Sequence, residues 1–414
     1  MDVVVVGGGL AGLVCARRLA REGAEVTLFE HDTEVGGRVR SVRENGYTFD
    51  RGFQVLFTAY PAARRELDYD ALDLRYFTPG ACLARSGQRS VLSDPIRDPG
   101  SLVESAFNAE VTLGDKLRTL ALRRRLSSVD PEDLFSGGDQ TVRAALLERG
   151  FSEEFVERFA APFYGGITLD RTLSSSAATF AYTFAMLSRG RIAVPAAGMG
   201  AIPEQLARSA REAGATVETG REVEAVGDTT VSLGGESLGA DAVVVATDPK
   251  RARELTGVGS IPTEARGCVT QWYTLSGDLD CGKRLVLNLD GDAPNHVVPQ
   301  AAVAPEYAPA GETLLSATFL GNPDGSDADL AERTRDALDS WYPERSVDSL
   351  SLLHTDRIPF AQFAQPPGFY TDLPDVRDPE GAVYLAGEYT RWSSIQGAME
   401  SGRVAAGAVL ADLE

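Results

Sequence analysis

The N-terminal stretch Val3-Val4-Val5-Val6-Gly7-Gly8-Gly9-Leu10-Ala11-Gly12 decides the fold of this chain. Its four consecutive valines predict a short strand that is buried on both faces, as in a parallel sheet. The apolar residues after Gly12 recur with the period of a helix that ends near Gly23. A second strand, from Glu25 to Phe29, then ends at Glu30. This order of strand, glycine-rich turn, helix and strand is the βαβ pattern of dinucleotide binding.

The glycines and the acid have separate tasks in that pattern. Gly7 makes the tight turn, Gly9 lets the backbone come close to a pyrophosphate, and Gly12 allows close packing of helix on strand. Glu30 lies about 20 residues further on, where a carboxylate accepts hydrogen bonds from both ribose hydroxyls. Such a carboxylate is incompatible with a 2′-phosphate, so the pattern disfavours NADP. It does not distinguish NAD from FAD.

The segment from His31 to Gln54 makes that distinction. It contains the run Gly36-Gly37-Arg38 and the run Tyr47-Thr48-Phe49-Asp50-Arg51-Gly52-Phe53-Gln54. Here the sequence resembles the superfamily of flavin amine oxidases, protoporphyrinogen oxidases and phytoene desaturases. The resemblance implies that the paired glycines allow close backbone approach to the FAD pyrophosphate and that Arg38 supplies charge there. It also implies that the strand ending in Asp50-x-Gly52 leads to the flavin ring.

A middle part of the chain resembles the family's return to its nucleotide domain. Residues 217–226 and 241–249 predict a strand, a hairpin at Gly234-Gly235 and a second, buried strand. The resemblance places the backbone of Val223 at the adenine, with a packed core residue as the alternative.

The C-terminal part completes the cofactor site. Residues 382–389 predict a buried strand that breaks at Gly387, and the helix that opens at Ile395 runs through Leu410. The resemblance implies that Glu388 binds the ribityl chain and that the N-terminus of the helix faces the flavin or its phosphate. Because no cysteine lies between Gly387 and Gly402, we expect FAD to bind noncovalently.

The candidate cofactor-binding residues come from all three parts of the chain: Gly7, Gly9, Leu10, Ala11, Gly12, Glu30, His31, Gly36, Gly37, Arg38, Val223, Gly387, Glu388, Ile395 and Ala398. Their distribution predicts an α/β fold in which two domains are interleaved. A Rossmann-like, glutathione reductase-like FAD-binding domain takes residues 1–60, 190–255 and 375–414. An α+β substrate domain takes residues 61–189 and 256–374, with helical stretches in 101–160 and a strand-rich part in 265–320.

The composition excludes several classes of protein. Of the 414 residues, 40 are Lys or Arg and 60 are Asp or Glu, so the net charge of −20 gives no basic footprint for nucleic acid. The only lysines are Lys116, Lys250 and Lys283. An acidic, lysine-poor surface suits a halophilic protein in a salt-rich cytoplasm, with GC-rich codon usage as the alternative. Four cysteines without a CxxC pair and three scattered histidines predict neither disulfides nor a metal site.

The chain begins directly with a strand and shows neither a signal-peptide pattern nor a run of about 18 apolar residues. We therefore expect a cytoplasmic protein without a transmembrane segment. Peripheral contact with a membrane and the oligomeric state are left open.

The expected chemistry follows from the cofactor. FAD accepts a hydride at N5, so the protein needs to orient the donor carbon and exclude water more than it needs a strong base. We therefore expect an FAD-dependent oxidoreductase, preferably a dehydrogenase or desaturase of a small apolar, isoprenoid- or carotenoid-like substrate. An amine or protoporphyrinogen oxidase is the alternative, and a non-catalytic FAD-binding protein is a further one. Lys283 is a poor match to the lysine that many amine oxidases of the superfamily keep near N5.

The sequence identifies no catalytic residue. Four residues flank segments that the family runs past the flavin, and we expect them around the isoalloxazine: Phe53, Gln54, Tyr389 and Trp392. The aromatic segments 159–167 and 180–187 either line the substrate site or form core helices. Residues 358–367 are expected to run back toward the flavin as the last strand of the substrate domain.

Overall fold

The computed structural model describes residues 1–93, 111–291 and 294–413. Its strands, in chain order, are β1 (Asp2–Val6), β2 (Glu25–Glu30), β3 (Ser41–Glu44), β4 (Tyr47–Asp50), β5 (Leu56–Phe57), β6 (Leu74–Tyr76), β7 (Ala81–Arg85), β8 (Gln88–Leu92), β9 (Ile192–Pro195), β10 (Thr216–Thr219), β11 (Ala225–Val226), β12 (Thr230–Leu233), β13 (Glu236–Gly239), β14 (Ala242–Val245), β15 (Ala265–Thr274), β16 (Leu285–Asn288), β17 (His296–Pro299), β18 (Leu315–Leu320), β19 (Ser351–Phe363) and β20 (Val383–Leu385).

The α-helices, in the same order, are α1 (Leu10–Arg21), α2 (Pro61–Glu66), α3 (Leu113–Ser127), α4 (Val142–Glu148), α5 (Glu153–Phe155), α6 (Ala161–Thr168), α7 (Ala177–Arg189), α8 (Ala201–Glu212), α9 (Pro249–Thr256), α10 (Gln300–Val303), α11 (Asp327–Trp341) and α12 (Ile395–Leu413). A π-helical segment, Val156–Ala160, joins α5 to α6. No helix among these described residues is long and apolar enough to cross a membrane.

A five-stranded parallel sheet has the order β10, β2, β1, β14, β20. Val3 at its centre pairs with Val26 on one side and with Ala242 on the other. Because β14 and nearly all of β1 are buried, they consist of β-branched and small apolar residues. The strands of this one sheet come from the N-terminal, middle and C-terminal parts of the chain. The predicted α/β fold class is therefore confirmed.

Helices α1, α8 and α12 pack together beside this sheet. The crossing of α1 and α12 is close, because a Cβ on Gly402 would lie 2.2 Å from the carbonyl oxygen of Ala11. This close packing fixes the position of α12 relative to the N-terminal turn of α1.

A second sheet of seven strands has the order β19, β15, β18, β17, β16, β7, β8. All neighbouring strands are antiparallel except β16 and β7. Helix α11 contributes Trp341 to the core on one face of this sheet, where it meets Tyr273 and Tyr342. The sheet combines strands from residues 81–92 with strands from residues 265–363, so the two segments of the predicted substrate domain share it.

The return of the chain to the parallel sheet and the helical region 101–160 differ in detail from the prediction. Residues 217–226 were expected to form one strand, but β10 ends at Thr219 and β11 begins at Ala225. Gly220, with φ +68°, turns the chain back so that the amide of Arg221 donates to the carbonyl of Glu30. Of the predicted helical region 101–160, residues 101–110 lie outside the described residues, and α3 to α5 occupy much of the remainder.

Candidate active site

A cavity of about 1160 Å³ begins at the carboxyl ends of β1, β2 and β14 and extends to the second sheet. Most of the predicted site residues line it: Gly7, Gly9, Leu10, Ala11, Glu30, His31, Gly36, Gly37, Arg38, Phe53, Gln54, Val223, Gly387, Glu388, Ile395 and Ala398. Residues more than 300 positions apart in the chain thus surround one space.

The glycine turn after β1 leaves room where a side chain would otherwise lie. A Cβ on Gly9 would have no heavy atom within 4 Å, so this glycine borders open space. Gly12 does not line the cavity and instead packs closely, since a Cβ there would lie 2.0 Å from the carbonyl oxygen of Gly7. Gly9 also caps α1 without a side-chain hydrogen bond, and the first turn carries no acid. The unpaired N–H groups of that turn, at Leu10 and Ala11, therefore suit an anion.

Glu30 is buried at the end of β2 and fixes the surrounding loops. Its Oε2 accepts a hydrogen bond from the amide of Gly8 at 2.7 Å, and its Oε1 accepts from the amide of Asp32 at 2.9 Å. Nδ1 of His31 lies 2.8 Å from the same Oε1. A carboxylate offers about four acceptor positions, so these contacts leave capacity for a ribose hydroxyl.

The Gly36-Gly37-Arg38 segment lies against the first glycine turn. The amide of Gly36 donates to the carbonyl of Gly8 at 2.8 Å, and a Cβ on Gly37 would lie 3.7 Å from Cα of Gly9. Gly36 has φ +122°, and a Cβ there would overlap the carbonyl oxygen of Val39. The two glycine segments therefore form one narrow, side-chain-free part of the cavity wall.

Arg38 and Glu388 form an ion pair across the cavity wall. Nη1 of Arg38 lies 2.5 Å from Oε1 of Glu388 and donates to the carbonyl of Ala361 at 3.1 Å. Glu388 is buried, whereas Arg38 is partly exposed. The pair joins the N-terminal, second-sheet and C-terminal segments, which the sequence had associated only through the cofactor.

Val223 and the C-terminal helix complete the predicted cofactor residues. The carbonyl of Val223 accepts a hydrogen bond from Arg251 at 2.9 Å, in the segment between β10 and β11. At the start of α12, Ser394 Oγ accepts from the amide of Gly397 at 2.8 Å. Ile395 and Ala398, on the first turn of this helix, both line the cavity.

Tyr389 and Trp392, which the sequence analysis expects around the isoalloxazine, do not line the cavity in this structure. The chain turns inward at Gly387, where a Cβ would lie 2.1 Å from the ring of Tyr389. The Tyr389 hydroxyl donates to the carbonyl of Val245 at 3.0 Å. Trp392 packs at 4.9 Å from both Phe135 and Tyr182, measured between ring centroids. Both side chains therefore belong to the core.

Phe53 and Gln54 do line the cavity, in two different ways. The Phe53 ring is half-buried and meets the imidazole of His296 edge to face, at 4.9 Å between centroids. Nε2 of Gln54 donates to the carbonyls of Arg38 at 2.6 Å and Arg51 at 2.9 Å. The Gln54 amide is thus used to hold the loop that positions Phe53.

Asp50 precedes this loop and is fully buried. Its Oδ1 accepts from Ser41 Oγ at 2.6 Å and from the amide of Met199 at 2.8 Å, and its Oδ2 accepts from the Tyr307 hydroxyl at 2.8 Å. Burial raises the pKa of Asp50 to about 6, against the opposing effect of these hydrogen bonds. This carboxyl therefore ties the neighbouring strand β3 and two distant segments, at Met199 and Tyr307, to the strand that leads into the site.

The far end of the cavity is apolar; Phe163 and Ile167 in its lining belong to the segment 159–167 that the sequence offered for the substrate site, and its other residues carry no sequence motif. It is lined by side chains from β5, β9, α6 and β16, namely Phe57, Ile192, Phe163, Ile167, Leu285 and Leu287. On β16 the alternate residue Val286 faces the other core. The alternation of Leu285 and Leu287 was a readable signal, but only a known sheet face assigns it to the cavity.

His296, at the start of β17, is the titratable residue of this apolar end. Nδ2 of Asn295 donates to the carbonyl of Pro162 at 2.9 Å and also lies 3.1 Å from Nδ1 of His296. Since an amide nitrogen only donates, Nδ1 accepts and the proton belongs on Nε2. Nε2 has no hydrogen-bond partner among the described residues. Burial lowers the pKa of His296 to about 4, so the ring is neutral near pH 7.

These features fit FAD as the cofactor. The side-chain-free wall at Gly9 and Gly37, the uncapped first turn of α1 and the carboxylate of Glu30 suit a pyrophosphate and a ribose. The apolar end, bounded by Phe53, suits a flat ring and an apolar substrate.

Comparison with known proteins agrees with this geometry. Residues 10–410 match the model of the family described as flavin-containing amine oxidoreductase. The chain is 30% identical to protoporphyrinogen oxidase 2 of Arabidopsis thaliana over 167 residues. This match covers 40% of this chain and 32% of the plant protein. It is 48% identical over 52 residues to a 4,4′-diapophytoene desaturase of Staphylococcus aureus, covering 13% of this chain and 10% of the desaturase.

The matches to these two relatives thus span at most a third of the relatives' own length. Among solved structures, an oxidoreductase of Methanosarcina mazei has the same fold, with a TM-score of 0.76 and 16% identity over 98% of this chain and 99% of the other. Since the family match extends over nearly the whole chain, this protein belongs to the flavin-containing amine oxidoreductases, a family of FAD-dependent enzymes.

Proposed function

We propose that this protein uses noncovalently bound FAD to dehydrogenate a small apolar substrate, isoprenoid- or carotenoid-like in character. One observation carries the choice of substrate class, namely the uncharged lining of the far end of the cavity. The segments 53–60, 162–169 and 285–287 contribute only apolar, aromatic or uncharged polar residues to it. A charged substrate would lose its hydration there without gaining a partner of opposite charge.

The charged residues of the cavity lie elsewhere. Glu30, Arg38 and Glu388 belong to the cofactor segments, and they are already engaged with protein groups. Arg51, Asp356 and Arg357 line the cavity beside the second sheet. There Arg357 pairs with Asp327, and Asp356 accepts from the amide of Gly52 at 3.4 Å. His296 is the exception at the apolar end, and its depressed pKa keeps it neutral. The proposal therefore assigns the end of the cavity at the glycine segments to the cofactor, and the apolar end at Phe53, Phe163 and Leu287 to the substrate.

FAD supplies the hydride acceptor when bound, so the residues of this chain have three tasks. The first turn of α1 and the glycine wall hold the pyrophosphate, and Glu30 orients the ribose. Phe53, Phe163 and Ile167 exclude water and position the carbon that loses hydride. His296, as a neutral donor, holds a proton at Nε2 and does not act as a strong base at pH 7.

The second candidate is a protoporphyrinogen or amine oxidase. The similarity to the plant protoporphyrinogen oxidase and the name of the family favour it. Against an amine, none of the described residues that line the cavity is a lysine, and Lys283 lies outside the lining.

Anaerobic reduction of the bound flavin tests these alternatives directly. The protein is mixed with phytoene-type polyenes in micelles, with protoporphyrinogen IX, or with primary amines, and the loss of flavin absorbance is followed. Bleaching by the isoprenoid with a desaturated product supports the proposal. Bleaching by an amine with hydrogen peroxide release in air, or bleaching by the porphyrinogen alone, replaces it with the second candidate. A flavin that dithionite reduces but no organic donor does indicates a non-catalytic protein.

A further inference from the structure

Helix α3 presents an uncovered apolar face. Leu113, Leu117 and Leu120 are 73%, 60% and 52% exposed, the highest values among the large apolar side chains of the described residues. Their spacing of four and then three residues places them on one side of the helix. Leu122 and Leu126 lie on the other side and are buried. The helix is therefore docked by one apolar face while a second apolar face remains in solvent.

The exposure does not result from a loosely attached helix. Asp115 is fully buried beneath the first turn, where its Oδ2 accepts from the hydroxyls of Thr112 at 2.5 Å and Ser152 at 2.7 Å. Its Oδ1 accepts from the amide of Ser152 at 2.9 Å. At the other end of the helix, Arg189 donates to the carbonyl of Leu126 at 2.9 Å. Both ends are thus fixed, and the orientation of the leucine face is built into the fold.

The charge of α3 is opposite to that of the molecule. The helix carries Lys116, Arg118, Arg123, Arg124 and Arg125 against the single acid Asp115, whereas the whole chain has a net charge of −20. Arg118, Arg124 and Arg125 are exposed. Arg124, four residues after Leu120, continues the leucine face toward the end of the helix, and Arg118 and Arg125 lie beside that face. Leucines combined with arginines on a surface helix suit the interface of an anionic bilayer.

A second copy of this chain fits the face less well. Among the described residues, the other exposed large apolar side chains come from other parts of the chain: Met1, Val42, Leu238 and Leu413. Of these, Met1 and Leu413 lie together at one small pocket. They offer no apolar stripe for the leucines of α3. Contact of α3 with its own copy would bring the five basic residues of each helix together, and such like-charge contacts are unfavourable.

We propose that α3 is a membrane-docking helix, which inserts Leu113, Leu117 and Leu120 below the headgroups of an anionic bilayer while Arg124 and Arg125 contact lipid phosphates. The acidic remainder of the molecule is repelled by the same surface, so this helix alone meets it. The proposal rests on the exposed face and its charge, and it does not depend on the identity of the substrate.

Site-selective labelling tests the insertion. All four native cysteines are buried, so a cysteine introduced by Leu117→Cys is the one that an environment-sensitive fluorophore labels in the folded protein. Its emission is expected to move to shorter wavelength with vesicles of phosphatidylcholine and phosphatidylglycerol. Leu238→Cys, on the exposed strand β13, serves as the matched control and should not respond. An unresponsive label at 117, or one already shifted without vesicles because protein covers the face, contradicts the proposal.

Vesicle flotation separates the apolar contribution to membrane binding from the electrostatic contribution. Leu117→Glu and the double variant Arg124→Glu/Arg125→Glu should each weaken partition onto the anionic vesicles by about tenfold or more. Leu238→Glu should bind as the wild-type protein does. Equal FAD content and melting temperature in all variants shows that folding and the cofactor site are intact. Equal wild-type binding to vesicles of phosphatidylcholine alone, or undiminished binding of Leu117→Glu, overturns the assignment.

Discussion

Gly9 and Gly12 belong to the same turn, but a side chain would meet different surroundings at each. Gly9 has φ −74°, which alanine adopts without strain, and its Cβ would point into open space. Gly12 has no room, because its Cβ would lie 2.0 Å from a backbone oxygen. The first position therefore serves the ligand, and the second serves the packing of helix on strand.

These surroundings predict that alanine at Gly9 weakens FAD binding, whereas alanine at Gly12 lowers the stability of the protein. Gly9→Ala should leave the melting temperature of the FAD-free protein unchanged and weaken FAD binding at least tenfold, which is about 1.4 kcal/mol. Gly12→Ala should destabilise the FAD-free protein by about 1–3 kcal/mol through overpacking. Calorimetry and flavin titration measure the two quantities separately. Equal losses of stability in both variants would show that Gly9 also has a packing role.

His296 makes a pH dependence testable. The imidazole binds a proton near its ordinary pKa of 6.5 when the chain is unfolded, but only near 4 when it is folded. Between pH 6.5 and 4 the unfolded chain binds a proton at this imidazole and the folded chain does not. The contribution of His296 to the free energy of unfolding is therefore at its highest above pH 6.5 and decreases as the pH falls toward 4. From pH 7 to pH 5 the wild-type protein should lose about 2 kcal/mol more stability than His296→Gln does. Urea unfolding at both pH values gives this difference, in which groups common to both proteins, including Asp50, cancel.

At the scale of elements, the segment after β20 separates packing residues from cavity residues. Tyr389 and Trp392 turn into the core, whereas Ser393 and Ser394 line the cavity. Phe53, which follows β4 in the N-terminal part of the chain, lines the same cavity. Neighbouring residues of one turn thus have different roles, which sequence proximity to a flavin motif does not reveal.

This separation predicts how two aromatic truncations differ. Trp392→Ala should destabilise the protein by about 3–5 kcal/mol, because it leaves a cavity between Phe135 and Tyr182. Phe53→Ala should change stability less, since its ring is only half-buried, and should slow the reduction of bound flavin by the substrate. Stopped-flow reduction and thermal unfolding of the two variants provide the comparison. Normal stability of Trp392→Ala would contradict the core assignment.

The elements of the parallel sheet were readable from the sequence because local signals coincide there. The valines of β1, the glycine turn and the acid at the end of β2 each carry a pattern with a fixed spacing. The apolar end of the cavity carries no such motif. Leu287 and His296 reach it only through the pairing of β16 with β17, a contact that no short stretch of sequence specifies. The inward turn at Tyr389 likewise depends on a partner carbonyl on β14.

At the scale of the whole molecule, acidic charge is distributed unevenly. Helix α3 is basic, whereas α11 carries Glu332, Asp336 and Asp339 on one exposed face, with the partly buried Arg333 and Arg335 between them. Acids four and three residues apart repel one another on a helix, and the net charge of −20 adds to that repulsion. The folded state should therefore gain stability when salt screens these charges.

Salt dependence should be visible in the wild-type protein and smaller in a neutralised variant. Raising KCl from about 0.1 M to 1 M shortens the Debye length from about 10 Å to 3 Å, so the melting temperature should rise. Glu332→Gln/Asp336→Asn/Asp339→Asn should be more stable than wild type by about 1 kcal/mol at low salt, and this advantage should vanish in molar KCl. Thermal unfolding of both proteins across the KCl series measures the two effects. A wild-type melting temperature that does not rise with KCl would remove the argument that the acidic surface is an adaptation to high salt. An advantage of the variant that persists in molar salt would instead indicate a change in helix propensity, because screening leaves propensity unaffected.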